Sequence, residues 1–371
     1  MLRKTYIEIS RQSFCHNIAQ FKKCLPPGGQ LMAVVKADGY GHGAVQTALV
    51  AQAEGVAWAG VALVEEGIEL RQGGVTLPIL VLGAWPKEAL PYFEQYQLTP
   101  TIHSPESARL LQDFAKAKGY QQPVHLKVDT GMGRIGFGPS QLFEFWEHFD
   151  SFDHLRVEGI DSHLARADEG LDEPTVTQFT RFNALIEGMD ARFMPRWTHI
   201  ANSSGTCDFK DFERGNLFRI GIGLYGQLPS AQLRNKPDLK QAITFKTEVV
   251  QLRDFEVNSP ISYGGTWVTK RPSRIACIAV GYGDGYSRAL SNRAQVLIRG
   301  QRMPVVGRVC MDLTLIDVTD FPEVCLGDQV VLIGRQGDEE ILASELADIM
   351  GTINYEVCCN LSKRVPRFYL G

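Results

Sequence analysis

No stretch of this 371-residue chain is apolar for long enough to cross a bilayer, so a membrane-spanning helix is excluded at the outset. Charge of one sign is lacking as well. Thirty-eight basic residues stand against 42 acidic ones, a net charge of −4 with no like-charge run, which leaves no electrostatic footprint for a nucleic-acid partner. Cysteine is sparse: the eight residues at 15, 24, 207, 277, 310, 325, 358 and 359 show no metal-type spacing, so no metal is expected. The adjacent Cys358 and Cys359 suit no ordinary disulfide, and the eight are expected to be reduced, mostly buried thiols. Internal repeats and low-complexity segments are absent. The basic start Met1-Leu2-Arg3-Lys4 runs into Tyr6-Ile7-Glu8-Ile9-Ser10-Arg11, too polar for a signal-peptide core, and a cytoplasmic location is the expectation.

What is present is enough apolar material, 44% of residues, for more than one core. Strand-like runs near Leu31–Lys36, Val56–Ala62, Pro78–Leu82, Leu98–Ile102, Val124–Asp129, Val157–His163, Trp197–Ile200 and Phe218–Gly221 alternate with helical patterns such as Glu65–Arg71, Ser104–Ala117 and Val176–Met189. Eight such units predict an α/β fold, a TIM-like (β/α)8 barrel in preference to a doubly wound sheet. After about Gly226 helices are expected to vanish, and short strands near Ile243–Leu252, Ile275–Ala279, Ala294–Ile298, Leu313–Val318 and Gln329–Ile333 predict a C-terminal mainly-β domain. The expected division is a strand within residues 1–10 that pairs with the β domain, a barrel over 11–230 and the β domain over 231–371.

The barrel strands carry the chemistry at their C-terminal ends. Val34-Val35-Lys36-Ala37-Asp38-Gly39-Tyr40-Gly41-His42-Gly43 sets a lysine at the end of a β-branched run, before a glycine-broken turn. Burial among Ala33, Val34 and Val35 lowers an amine's affinity for its proton and makes it nucleophilic toward an aldehyde, so Lys36 is a candidate Schiff-base amine. The plain alternative is a solvated strand-end lysine. Gly131-Met132-Gly133-Arg134-Ile135-Gly136 satisfies the dinucleotide-binding glycine pattern, but Gly138-Pro139-Ser140 postpones the helix and the strand is fifth in order, which argues against that use.

With Lys36 and Tyr40 in that run, and Val124 to Arg134 reading VHLKVDTGMGR, the chain resembles the pyridoxal-phosphate-dependent alanine racemases. The likeness extends from about Tyr6 to Pro366, with the motifs in family order. It implies that Lys36 carries pyridoxal 5'-phosphate and that Tyr40, Ser203, Gly221, Ile222 and Tyr355 bind its phosphate. His163 would stack on the ring, His199 would contact Arg219, and Arg219 would face the pyridine nitrogen. An arginine there can donate but not give up its proton, which disfavours transamination and suits racemisation. Arg134 would take the substrate carboxylate through its planar fork, positioned by Lys127, which is carbamylated in many family members; the alternative is an ordinary lysine–carboxylate pair.

From the β-rich half the resemblance implies Tyr263, in Ile261-Ser262-Tyr263-Gly264-Gly265, as the second acid/base. A phenol with an ordinary pKa of about 10 needs help to act as a base near neutrality. Met311 would meet the substrate carboxylate through its backbone N–H, Tyr282, Arg288 and Arg308 would form a narrow mouth, and Asp312 would support them. The family pattern further implies a head-to-tail homodimer whose sites take Lys36 from one chain and Tyr263 from the other. The expected activity is interconversion of L- and D-alanine, for peptidoglycan or for alanine catabolism. Racemases of serine, lysine or arginine, a non-enzymatic pyridoxal-phosphate carrier and a decarboxylase of related fold are the rivals. The carrier lacks the second domain, and the decarboxylase needs an acidic partner where Arg219 stands.

Overall fold

A computed structural model of the chain describes residues 3–170, 172–189, 194–208, 214–230 and 232–371. The chain divides into two compact units, one made of Phe14–Gly39 and Gly43–Leu239, the other of Met1–Ser13, Tyr40–His42 and Lys240–Gly371. Strand β1 (Tyr6–Ser10) belongs to the second unit. The first is built on β2 (Gln30–Val34), β3 (Trp58–Val61), β4 (Ile79–Val81), β5 (Leu98–Ile102), β6 (Gln122–Lys127), β7 (Leu155–Asp161), β8 (Trp197–His199) and β9 (Leu217–Ile220). Each of the eight falls on an expected run.

All eight run parallel in the order β8-β7-β6-β5-β4-β3-β2-β9. Two backbone bonds draw the ends of this sheet together: Asn216 N–H donates to the Thr198 carbonyl at 3.0 Å and Arg219 N–H to the Ala201 carbonyl at 3.2 Å. A TIM-like barrel is the result. Parallel strands covered on both faces lose the polar alternation of half-exposed ones, and β3, β4, β5 and β9 are buried throughout. Met32, Trp58, Leu80 and Leu217 form an apolar cluster inside. Helices on the outside follow local signals. In Pro105–Lys118 the Ser104 hydroxyl accepts from the Ser107 N–H at 3.2 Å, proline opens the first turn, and Gly119 closes the helix in the left-handed region. Its buried face, Ala108, Leu111 and Ala115, keeps the 3–4 spacing of an amphipathic helix.

The second unit is mainly β, organised around the long β10 (Ile243–Phe255), whose Ile243, Phe245, Thr247 and Val249 alternate inward. Further strands are β11 (Pro260–Ile261), β12 (Trp267–Val268), β13 (Ser273–Ile278), β14 (Gln295–Ile298), β15 (Gln301–Pro304), β16 (Thr314–Asp317), β17 (Gln329–Gln336), β18 (Glu339–Ile341) and β19 (Arg367–Leu370). The main path runs β15-β14-β17-β10-β1-β19, with β13 joined to β10 and β16. Strand β1 lies antiparallel to β10 and parallel to β19, and buries Ile7 and Ile9.

Two sequence expectations fail here. Helices do not vanish after Gly226: Ala343–Met350 and Asn354–Cys359 are both helical. The first buries Ala343, Leu346 and Ala347 on one face and stops at the left-handed Gly351, a pattern overshadowed in sequence by the strands before it. The cysteines form no disulfide among the described residues, but only Cys207, Cys277 and Cys358 are buried; Cys325 and Cys359 are exposed. Cys325 lies in the turn before β17, and Cys359 faces outward at a helix end. No helix among the described residues is long and apolar enough to cross a membrane.

Leu80, fully buried in the barrel cluster, is where the core is tested. Leu80→Ala is expected to lower the free energy of unfolding by about 2–5 kcal/mol in urea titration; a change within experimental error would mean that this cluster does not hold the barrel together.

Candidate active site

Within the barrel unit, the carboxyl ends of the strands gather the polar groups. Strand β2 stops at Val34, short of the expected end, because Lys36 opens a left-handed turn in which Ala37, Asp38, Gly39 and Tyr40 have φ between 51° and 58°. L-residues other than glycine avoid this region, at about 1–2 kcal/mol each, so the turn must be held. The Ala37 N–H donates to Glu66 Oε1 at 2.6 Å, and Glu66 Oε2 accepts from Ala62 and Leu63. The Gly39 N–H donates to the Val35 carbonyl and the Gly43 N–H to that of Asp38. Lys36 is therefore presented from a braced loop. Glu66 was not singled out in the sequence, where it reads as an ordinary helix-start acid.

Arg219, on β9 and almost fully buried, stands at the centre of this set. Its Nη2 donates to the Ser162 carbonyl at 2.7 Å, the Ile200 carbonyl at 2.9 Å and His163 Nδ1 at 3.0 Å. Its Nη1 donates to the His199 carbonyl at 3.1 Å and to His199 Nδ1 at 2.6 Å. Every one of these acceptors is neutral. His199 in turn meets His125, Nε2 to Nδ1, at 2.9 Å. Burial and the nearby charges of Arg219 and Lys127 hold all three imidazoles below their ordinary pKa, His125 down to about 3 and His163 and His199 well below 6.5.

Beside β9, two backbone amides converge on one hydroxyl: Ser203 Oγ accepts from Gly221 N–H at 3.1 Å and Gly223 N–H at 3.4 Å. Ile222 starts the short 3-10 turn there. Donors so clustered suit a phosphate oxygen, and a lysine on a braced loop suits an aldehyde, so the barrel residues fit pyridoxal phosphate.

The glycine-rich loop after β6 has no dinucleotide-type helix. Asp129 ties it instead, accepting from the N–H groups of Gly131, Met132 and Arg134 at 2.8–3.0 Å. Partial burial opposes ionisation of Asp129, but these backbone donors outweigh it and hold the carboxyl below its ordinary range. The helix begins only at Pro139. Arg134 is exposed on this loop. Lys127 makes a close ion pair with Asp161, its register partner on β7, while burial pulls its ammonium pKa down.

In the β-rich unit the remaining predicted residues are brought together by three knitted loops. Tyr263 is 69% exposed on a turn whose Ser262 (φ 61°) donates its hydroxyl to the Arg308 carbonyl at 2.7 Å. The 307–312 loop then meets the next: Tyr282 N–H donates to the Cys310 carbonyl and Gly283 N–H to the Met311 carbonyl, both at 2.9 Å. Met311 and Tyr282 are exposed on these loops, and Arg288 is exposed on the 3-10 turn that follows. Asp312 pairs with Arg364 Nη2 at 2.8 Å. The same arginine donates through Nε to the buried Asp284, which also takes both Nη groups of Arg3. Neither Asp284 nor Arg364 was chosen from the sequence, although Asp284 lies in a Gly-x-Gly-Asp-Gly segment, a composition that favours tight turns. Tyr40 and Tyr355 face each other with ring centroids 5.9 Å apart.

Models of the alanine racemase N-terminal domain and C-terminal domain match residues 9–229 and 242–369. The chain belongs to the alanine racemase family. The alanine racemase of Halothermothrix orenii is 43% identical over 99% of this chain and 97% of its own, and that of Symbiobacterium thermophilum 44% identical over 100% and 98%. The solved alanine racemase from E. faecalis superposes with a TM-score of 0.93 at 36% identity, covering 100% of this chain and 99% of that one. That of Clostridium difficile 630 gives 0.92 at 36% identity, over 99% and 96%.

The three neutral histidines tie stability to pH. Below about pH 6.5 their counterparts in the unfolded chain take up protons that the buried rings refuse, so stability is full above that pH and falls as the pH drops. Between about pH 7 and pH 5 each ring is expected to remove on the order of 2 kcal/mol, read by urea unfolding at both pH values. A flat profile would show that the rings titrate in the fold as they do in the unfolded chain.

Proposed function

We propose that the chain interconverts L-alanine and D-alanine with pyridoxal 5'-phosphate as cofactor, Lys36 and Tyr263 exchanging a proton with opposite faces of the substrate Cα. When bound, pyridoxal phosphate acidifies the Cα–H of an amino acid joined to it. The observation that carries the reading is Arg219, a buried guanidinium bonded to carbonyl and imidazole acceptors. A guanidinium keeps its protons at any working pH, so Arg219 donates to a pyridine nitrogen without protonating it. A proton taken from Cα is then returned to Cα in preference to the cofactor's own carbon. Two bases make that return possible from either side: Lys36 Nζ serves the D face and Tyr263 Oη the L face.

In this reading Tyr40, Ser203, Gly221, Ile222 and Tyr355 hold the phosphate, and His163 lies against the ring. Arg134, supported by Lys127, and the Met311 N–H orient the substrate carboxylate. Tyr282, Arg288, Arg308 and Asp312 shape the approach and keep water from the reacting Cα. The high exposure of Tyr263 and Met311 supports a further part of the reading: a homodimer in which each complete site takes Lys36 from one chain and Tyr263 from the other; a cytoplasmic location completes the proposal.

The test starts from purified protein with pyridoxal phosphate, L-alanine and deuterated water. Wild type is expected to give D-alanine labelled at Cα, and Lys36→Ala and Tyr263→Phe are each expected to lose that activity. Unfolding and refolding the two variants together should restore about one quarter of the wild-type rate, because half of the dimers carry one site with both bases. Failure of either variant to lose activity sinks the two-base assignment, and absence of rescue sinks the shared site.

A further inference from the structure

We infer that His125 is a positioning residue of the active site, the terminal acceptor of a one-way hydrogen-bond chain that sets how strongly Arg219 can donate. The inference rests on the racemase reading for its consequence, but its geometry stands on the barrel alone.

The direction of the chain follows from which groups can accept. Arginine has only donors, so His199 Nδ1, 2.6 Å from Arg219 Nη1, bears no proton. A neutral imidazole then carries its proton on Nε2, and the atom 2.9 Å from it is His125 Nδ1. That atom must accept, which leaves the proton of His125 on its own Nε2. The sequence Arg219 to His199 to His125 thus has one consistent set of protons, with both rings neutral in a fully buried setting.

The surroundings hold His125 to this task. Residues 125 and 127 are two apart on β6 and share its inward face. Directly across in the register is Gly159, where a Cβ would lie 2.4 Å from the imidazole, so glycine at 159 makes the room the ring occupies. Trp58 packs against the ring at a centroid distance of 5.0 Å. Trp58 itself belongs to an apolar cluster with Met32, Leu80 and Leu217, a setting that asks for no polar side chain. Instead, His125 Nε2 is buried without a hydrogen-bond partner among the described residues. A side chain that costs desolvation at its far end contributes at its near end. By accepting from His199, it makes His199 Nδ1 a stronger acceptor toward Arg219, and this draws positive charge away from the donors that Arg219 offers elsewhere.

The experiment uses holoenzyme labelled with 15N in the histidine rings, as wild type, His125→Gln and His125→Leu. In wild type, His199 and His125 are both expected as Nε2–H tautomers, unchanged from about pH 6 to pH 8. In His125→Leu the His199 Nδ1 resonance should shift. The share of turnovers that end with pyruvate released and the amino group kept on the cofactor should rise on the order of tenfold, with KM unchanged. His125→Gln, whose amide oxygen can take the same proton, should restore both. An Nδ1–H or doubly protonated His199 in wild type would overturn the inference, even if no other variant folds. So would a His125→Leu enzyme with an unshifted His199 resonance and an unchanged side product. Loss of all racemase activity from wild type would remove the catalytic reading while leaving the tautomers to be read.

Discussion

The barrel's chemistry depends on keeping one buried positive charge satisfied without neutralising it. A guanidinium inside a protein is usually stabilised by a carboxylate, and removing such a partner leaves a charge that costs several kcal/mol. Arg219 is held by three carbonyl oxygens and two imidazole nitrogens. The need for those acceptors constrains the neighbours. Ser162 and Ile200 must turn their carbonyls inward just past β7 and β8, and His163 and His199 must stay neutral. The nearby carboxylate, Asp161, is engaged by Lys127.

The β-rich unit solves a different problem, since its candidate residues lie on loops and must be placed without strands beneath them. The Ser262 hydroxyl bond to Arg308 and the backbone bonds from the 281–285 segment to the 307–312 segment do this, and the buried Asp284 anchors the cluster through Arg3 and Arg364. Burial works against the Asp284 charge, but the two guanidinium groups and the Gly281 N–H outweigh it and hold its carboxyl below the usual range. Glycine is required at 281, where a Cβ would sit 2.2 Å from the Cys310 carbonyl oxygen. Exposed side chains such as Tyr263 are thereby carried on a firm base.

Much of this was legible in the sequence because strand periodicity and punctuation are local. All eight barrel strands fall on their apolar runs, and Gly138-Pro139 delays a helix where the glycine motif alone would start one. What was not legible depended on partners far along the chain. His125 looked like one more inward residue, since nothing local reveals that His199 and Gly159 face it. The left-handed turn after Lys36 includes Ala37 and Tyr40, whose types give no such signal; the bond from the Ala37 N–H to Glu66 helps to hold it. The helix at Ala343–Met350 was hidden by the strands that precede it. Asp284 was visible only as a turn residue, its two arginine partners lying 281 and 80 positions away.

The place of β1 has a consequence for the order of assembly. Because this strand lies between β10 and β19, a segment from the first ten residues is sealed on its second side only by Arg367–Leu370. During synthesis, the strands of the barrel emerge while β1 has neither neighbour, leaving its backbone donors and its apolar Ile7 and Ile9 unsatisfied. Such long sequence separation slows closure, since the entropy of a very large loop is lost before the pairing repays it. The β-rich unit is therefore a lock that turns last, and ribosomal products interrupted before β19 leave β1 as the edge strand of the sheet.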